Sequence, residues 1–309
     1  MKKIIPCVAI TLSLILAGSF LPVLGVVGLM LCPLPLSILG CLEGHKTASI
    51  AELLIEATLF LILSPYMAVY FLIGCAPLSG VVFLLSRHDL KETKKYSAPE
   101  SLLICAGTSI AFKLILLVVF WLFTGKNILF PNAAQMNEVL RQLYGESPEV
   151  VEAVRRVLAV FPYMMPALLV IYSSVEAYLN YSLCHAITKK YFPSCKNFPP
   201  ELPPFMMWRF PVSLLFVSVL SVLLRYAVNA DEWFEGAMFI INLQIIINIF
   251  MFIEGLALAF WIMAGFKFRR ASKVFVCVLL SIPFFWPWLI VMGMCDMVFN
   301  MREKIKFGA

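Results

Sequence analysis

Six ionisable side chains lie inside, or at the ends of, long apolar stretches of this sequence. They are Glu52, Glu56, Lys113, Glu176, Glu254 and Asp296. A charge in hydrocarbon is costly unless it faces protein, water or a ligand. Lys113 can pair with one glutamate, and the carboxylates left over must then be protonated or neutralised by a cation. The set therefore indicates proton coupling or a cationic ligand, or else groups that only join helices through hydrogen bonds.

The apolar run at residues 236–266 carries several polar side chains along its length. At about 100° per residue, Gln244 and Asn248 share one helix face. Glu254 lies about a quarter turn to the side of that face, and Asn242 is nearly opposite. A helix that needs polar neighbours on more than one side is central, so we interpret this one as the inner wall of the protein.

Polar groups also recur one helical turn apart in other runs, as Glu52 with Glu56 and as Glu176 with Asn180. Asp296 lies six residues before Arg302, which suggests a structural anchor at the membrane surface. The candidate ligand-binding residues are therefore Glu56, Lys113, Glu176, Asn180, Gln244, Asn248 and Glu254.

The composition sets the class of protein. Hydrophobic residues make up 62% of the 309 positions, charged residues 14%, and the mean hydropathy is +0.93. These values indicate a multi-pass protein whose partner is the lipid bilayer, and they leave no room for a soluble catalytic domain. The net charge of +6 comes from basic clusters beside apolar runs. That pattern is typical of the positive-inside rule rather than of nucleic-acid binding.

Nine apolar segments are long enough to be membrane helices. They cover residues 4–20, 23–42, 47–64, 66–86, 101–123, 157–187, 210–228, 236–266 and 274–300. We expect an all-α polytopic integral membrane helix bundle in a single membrane domain, 1–309, with about eight transmembrane helices. The distribution of Lys and Arg places the N-terminus in the cytoplasm. Which segment fails to span is left open between the first pair, which is broken by prolines, and the last segment.

Two polar regions interrupt the apolar segments. Residues 126–156 predict an extracytoplasmic amphipathic helical segment, whose second helix begins at Pro148 after a Ser147 cap. Residues 188–209 predict a Pro-rich cytoplasmic loop.

Motifs for enzymes and cofactors are missing from the sequence. The nine cysteines form no CxxC pair, the three histidines form no HExxH motif, and no phosphate-binding G-x-x-x-x-G-K-[ST] loop occurs. We therefore expect no metal, no cofactor and no enzymatic activity, and ATP hydrolysis would have to come from another chain. An intramembrane enzyme is the less favoured reading.

Four stretches carry a resemblance to a known family. They are LPVLGVVGLMLCPLPLSILGCLEGHK, FPPELPPFMMWRFP, NIFMFIEGLALAF and MGMCDMVFNMREK. In this order they resemble the YybS-like family of bacterial polytopic membrane proteins, which is distantly similar to the substrate-binding S components of energy-coupling factor transporters.

The resemblance implies a subunit of the bacterial cytoplasmic membrane that binds or transports a small solute. Its partners would be a transporter T component and ATPase subunits. Ala9, Ser13 and Ala17 recur every four residues as a small-residue face, which would then be the docking surface for the T component. The alternative is a non-transporting scaffold or regulator that uses the Pro-rich residues 193–204 as a docking strip.

Overall fold

A computed structural model describes residues 3–87, 96–125, 148–195, 197–227, 234–266 and 282–305 of the chain. The regular structure of these residues is helical throughout, which confirms the predicted all-α class. The described residues pack into two compact units. Unit 1 comprises Met1–Arg155 and Leu169–Leu202, and unit 2 comprises Arg156–Leu168 and Pro203–Ala309.

Unit 1 contains most of the helices in the first half of the chain. They are α1 (Ile4–Phe20), α2 (Pro22–Leu31), α3 (Leu34–Glu43), α4 (His45–Thr58), a first π segment (Leu59–Leu63), α5 (Pro65–Val69), a second π segment (Tyr70–Cys75), α6 (Ala76–Ser86) and α7 (Ala98–Thr124). The long helix α8 (Pro148–Tyr191) contributes residues to both units. Unit 2 also holds α9 (Ser213–Ala227), α10 (Phe234–Gly265), α11 (Trp286–Phe299) and α12 (Met301–Lys304).

The second apolar segment is interrupted, as its prolines predict. Helix α2 ends at Leu31, and α3 begins at Leu34 after Cys32 and Pro33. Cys32 and Pro33 keep helix-like backbone angles, but proline has no N–H to donate, so the ladder of helical hydrogen bonds is interrupted at this position.

Helix α8 begins at Pro148, as predicted, and then continues for 44 residues to Tyr191. The predicted second surface helix and the predicted segment 157–187 are therefore one continuous helix. At 1.5 Å per residue its length is about 66 Å, roughly twice the thickness of the hydrocarbon core. The first helix of the predicted surface pair lies in residues 126–147, outside the described residues.

Four stretches within the described residues are long and apolar enough to cross a membrane. They are Gly25–Glu43, Pro65–Ser86, Ala98–Thr124 and Gly236–Gly265. Shorter apolar helices occupy Ile4–Phe20, Ser213–Ala227 and Pro283–Phe299. Several apolar helices in one chain support a polytopic membrane bundle, while the number of about eight spans and their orientation stay predictions.

Close contact between α10 and α11 depends on two glycines in unit 2. A Cβ atom at Gly255 would lie 1.8 Å from the carbonyl oxygen of Leu289, and one at Gly293 would lie 2.1 Å from that of Met251. Both obstructions are backbone atoms, which cannot move aside as a side chain can. Glycine at these positions therefore allows the two helices to touch along their backbones.

Replacing Gly255 by alanine is expected to destabilise unit 2 by about 1–3 kcal/mol, because the added methyl group overlaps backbone. Thermal unfolding in detergent, followed by circular dichroism, measures the change. Gly107→Ala is the matched control, since a Cβ atom there meets nothing within 4 Å. The control should be neutral or slightly stabilising. Equal losses in both variants would contradict the packing argument.

Candidate functional site

The buried face of α7 presents a lysine to a glutamate of α8. Ser101, Cys105, Ser109 and Lys113 recur every four residues and form this face, so the helical period brings all of them to one side. Lys113 Nζ forms an ion pair with Glu176 Oε2. The predicted pairing of Lys113 with a glutamate is thus present, and the partner is Glu176.

Both members of the pair are shielded from solvent. Glu176 is 0% exposed and Lys113 is 7% exposed. Ser109 Oγ lies between them: it accepts from Lys113 Nζ at 2.7 Å and donates to Glu176 Oε2 at 2.6 Å. The charges of Lys113 and Glu176 therefore neutralise each other, and the Ser109 hydroxyl bridges them in a low-dielectric interior, where hydrogen bonds to charged groups are strongest.

Asn180 lies one turn beyond Glu176 and joins α8 to the break after α2. Its Nδ2 donates to the carbonyl oxygens of Met30 at 2.7 Å and of Glu176 at 2.8 Å. Because α2 ends at Leu31, its last carbonyl groups lack partners within the helix. Asn180 is the hydrogen-bond donor for one of these carbonyl groups, that of Met30. We refer to Ser109, Lys113, Glu176 and Asn180 together as the polar centre.

Two helix interruptions lie at the polar centre. The break between α2 and α3 follows Met30, whose carbonyl group binds Asn180, and the second π segment packs against α7, the helix that carries Lys113. Lys113 Nζ also lies 5.2 Å from the ring centroid of Tyr172, within the range of a cation–π contact. Irregular backbone at membrane depth is tolerated where it is buried in protein or lines a cavity, and π segments are frequent at functional sites.

The polar centre retains unused hydrogen-bond acceptors. Glu176 Oε1 and Asn180 Oδ1 are both buried and accept no hydrogen bond in the structure. A buried polar atom without a partner costs about 1–3 kcal/mol. Two such atoms one turn apart on α8 are therefore candidates to receive donor groups from a ligand.

Glu254 belongs to a different cluster, in unit 2. Its Oε1 lies 3.1 Å from Arg302 Nη2, and its Oε2 accepts from the backbone N–H of Phe210 at 2.8 Å. Arg302 Nε lies 2.8 Å from Asp296 Oδ2. Lys113 is the only basic residue among the six ionisable groups that the sequence places in or beside the spans, so the burial of a second cation was not predicted. Arg302 is 8% exposed and is a second buried cation.

Arg302 reaches this position because the chain reverses after α11. Asn300 has a left-handed backbone, φ 49°, and the short helix α12 follows it. Arg302 Nη1 then donates to the carbonyl oxygens of Met206 and Trp208, each at 2.8 Å. Asparagine tolerates this conformation better than most residues. The available sequence signal for the turn was the asparagine at 300, which lies between Asp296 and Arg302 at the end of the last apolar segment.

The remaining polar residues of α10 lie in two further sets of contacts within unit 2. Gln244 accepts a hydrogen bond from Ser221 of α9 and donates to Asn248 Oδ1 at 2.9 Å. The amide of Asn242 inserts into α8: its Nδ2 donates to Tyr163 O at 2.7 Å, and its Oδ1 accepts from Ala167 N at 2.9 Å. Within unit 2, the polar α10 residues Asn242, Gln244, Asn248 and Glu254 thus make three separate sets of contacts.

Two other groups of predicted residues lie at the surface of unit 1. Glu56 is half-buried on α4 and does not belong to the polar centre. Ala9 and Ser13 are exposed and Ala17 is partly exposed, whereas α1 buries Ile4, Cys7, Thr11 and Ile15 on its other side. The small-residue face therefore remains open within this unit.

Metal ligation has no candidate in the part of the chain that the structure describes. No group of three or more His, Cys, Asp or Glu side chains there could hold a metal ion. The cysteines in these ranges form no disulfide with one another, and most of them are buried.

A comparison with protein families gives a match over nearly the whole chain. Residues 9–297 match a family described as predicted membrane protein, DUF2232. The chain belongs to this family. No curated protein and no solved structure matches it. Family membership and the long apolar helices together indicate a multi-pass membrane protein.

Lys113→Met is expected to destabilise unit 1 by about 3–5 kcal/mol, because it leaves a buried carboxylate without its counter-charge. The double variant Lys113→Met/Glu176→Gln should recover most of that loss, since it removes both charges. Thermal unfolding in detergent reports both values. A double variant as unstable as the single one would show that the pair is not the source of the stabilisation.

Arg302→Met is expected to cost a similar ~3–5 kcal/mol, because Glu254 and Asp296 would lose their shared cation. Arg209→Met is the matched control: Arg209 pairs with Glu303 at 2.9 Å, but both side chains are exposed. Arg209→Met should lower the free energy of unfolding by less than ~1 kcal/mol. Chemical denaturation in detergent compares the two variants, and similar losses would argue against a buried network at Arg302.

Proposed function

We propose that this protein is a small-solute binding or transport subunit of a bacterial cytoplasmic membrane, with its N-terminus in the cytoplasm and the polar centre as its solute site. One observation carries the proposal: the buried Lys113–Glu176 pair and the adjacent Asn180 have unused acceptors, Glu176 Oε1 and Asn180 Oδ1, beside interrupted helices. Ionisable residues within membrane helices are functional candidates by default. Helices interrupted at membrane depth are a recurrent feature of transporter binding sites.

The charge balance of the polar centre favours a particular kind of solute. Lys113 and Glu176 cancel, so a solute does not need to bring a net charge. The free acceptors at Glu176 and Asn180 instead favour N–H or O–H donors. A pair with a purely structural role would be expected to have its remaining lone pairs satisfied.

The protein would depend on a partner complex that hydrolyses ATP. The sequence has no phosphate-binding loop, and the resemblance to YybS-like proteins and to S components implies a T component with ATPase subunits. The exposure of Ala9 and Ser13 on α1 supports a docking role for that face. Small residues allow another helix to approach closely.

The scaffold alternative has less support from the Pro-rich segment. Within unit 1, Pro199 O lies 2.7 Å from His185 Nδ1, and Pro200 O accepts from Tyr181 at 2.9 Å. Lys189 lies 2.6 Å from Glu201 and lowers the pKa of that carboxyl, which keeps the exposed pair ionised at neutral pH. A docking strip offers free carbonyl groups to its partner, and the carbonyl groups of Pro199 and Pro200 are already engaged within the chain.

Native mass spectrometry of the protein released from nanodiscs tests the solute site. We expect wild-type protein to retain a small-molecule adduct that Lys113→Met/Glu176→Gln loses. The control is Lys189→Met/Glu201→Gln, which removes an exposed Lys–Glu pair that also involves α8 and should retain the adduct. The proposal fails if the polar-centre variant folds and retains the same adduct, or if wild-type protein carries none.

Co-purification tests the partner. The double variant Ala9→Leu/Ala17→Leu should lose an ATPase-bearing partner that wild-type protein retains, because larger side chains prevent close helix approach. Solute binding should persist in this variant. Partners without ATPase activity would favour the scaffold alternative instead.

A further inference from the structure

An open groove follows the hairpin formed by α4, the two π segments and α5. Its volume is about 570 Å³, and hydrocarbon side chains line almost all of it. Leu53, Phe60, Leu61 and Leu72 contribute much of this lining and are themselves exposed. The volume lies within the range of about 300–1,000 Å³ that is usual for small-molecule sites.

The backbone of the hairpin gives the groove its shape. The first π segment ends α4, and Ser64 then adopts an extended conformation, with φ −169° and ψ 154°. Helix α5 begins directly at Pro65, and the Ser64 hydroxyl accepts from the Met67 N–H at 3.3 Å. A π turn carries one residue more than an α turn, so it shifts the side chains that follow it out of register.

One acidic group faces this apolar lining. Glu56 lines the groove, and its Oε1 is covered but accepts no hydrogen bond. Glu52 lies one turn earlier on α4, so its charge adds to the negative potential rather than cancelling it. In the ranges that the structure describes, no basic side chain forms an ion pair with Glu56.

This situation differs from that of the buried carboxylates elsewhere in the molecule. Glu176 is paired with Lys113 in unit 1, and Glu254 and Asp296 are both paired with Arg302 in unit 2. Glu56 has hydrocarbon around it, and none of the basic side chains that the structure describes is paired with it. A carboxylate in a low-dielectric setting is stabilised by a cation in direct contact.

We infer that the groove binds a hydrophobic primary amine as its ammonium ion, with the charge on Glu56 and the hydrocarbon body along Leu53, Phe60 and Leu61. The ammonium group supplies both the counter-charge and the hydrogen-bond donor that Glu56 Oε1 lacks. The hydrocarbon body covers side chains that the protein leaves open. This site is separate from the polar centre, whose charges already cancel.

Modification by dicyclohexylcarbodiimide tests the inference in wild-type protein. This apolar reagent reacts with protonated carboxyl groups inside membranes, and mass mapping of peptides identifies the modified residue. We expect Glu56 to be modified in nanodiscs of phosphatidylcholine. Decylammonium should protect it by about tenfold or more, because an ion pair both deprotonates and covers the carboxyl. Decanol, which has the same chain without the charge, should give little protection.

Variants separate the charge from the apolar lining. Binding of decylammonium, measured by native mass spectrometry, should weaken about tenfold in Glu56→Gln, which keeps the shape of the side chain but removes its charge. Glu52→Gln is the matched control and should bind nearly as wild type, because Glu52 is not part of the lining. Ala57→Phe, which fills the groove and keeps Glu56, should also weaken binding.

Three results would overturn the inference. They are equal protection by decanol and decylammonium, absence of modification at Glu56, and unchanged amine binding in a folded Glu56→Gln variant. Protection by phosphatidylethanolamine in the nanodisc, without any added amine, would support the site and identify a lipid headgroup as the source of the ammonium.

Discussion

Charges enclosed by membrane helices need partners, and the structure is organised around that requirement. In unit 1, Lys113 and Glu176 lie 63 residues apart in sequence and meet between α7 and α8. In unit 2, Arg302 and Glu254 are 48 residues apart, and Asp296 shares the same guanidinium. Removal of either cation would leave a carboxylate in a low-dielectric interior. Each pair therefore couples segments that no local signal would bring together.

The helix interruptions follow from the same need to satisfy polar groups. A helix that ends inside a membrane exposes carbonyl groups that water cannot reach. Asn180 satisfies the Met30 carbonyl at the end of α2, and Asn242 bonds to the backbone of α8. Gly255 and Gly293 act through their lack of a side chain, which lets the backbones of α10 and α11 pack directly against each other. Asparagine side chains thus join helices through hydrogen bonds, and glycines join them through close backbone packing.

The two candidate binding regions of unit 1 differ in electrostatics. The polar centre is neutral within itself and offers acceptors at Glu176 and Asn180, so it suits a solute with hydrogen-bond donors. The groove beside Glu56 is apolar, and its carboxylate pairs with no cation among the described residues, so the groove suits a hydrophobic cation. A solute site and a separate amine site are chemically compatible in one membrane subunit, because neither requires a charge that the other uses.

The sequence by itself determined the membrane class, the helical fold, the break after α2 and the start of α8 at Pro148, since composition, proline and capping act locally. It also singled out Lys113, Glu176, Asn180 and Glu254 as polar groups in apolar surroundings. Only the tertiary structure decided that Lys113 pairs with Glu176 and that Arg302 is buried. Ion-pair choice depends on which helix faces meet across many residues of chain, and the burial of Arg302 depends on a backbone reversal at Asn300.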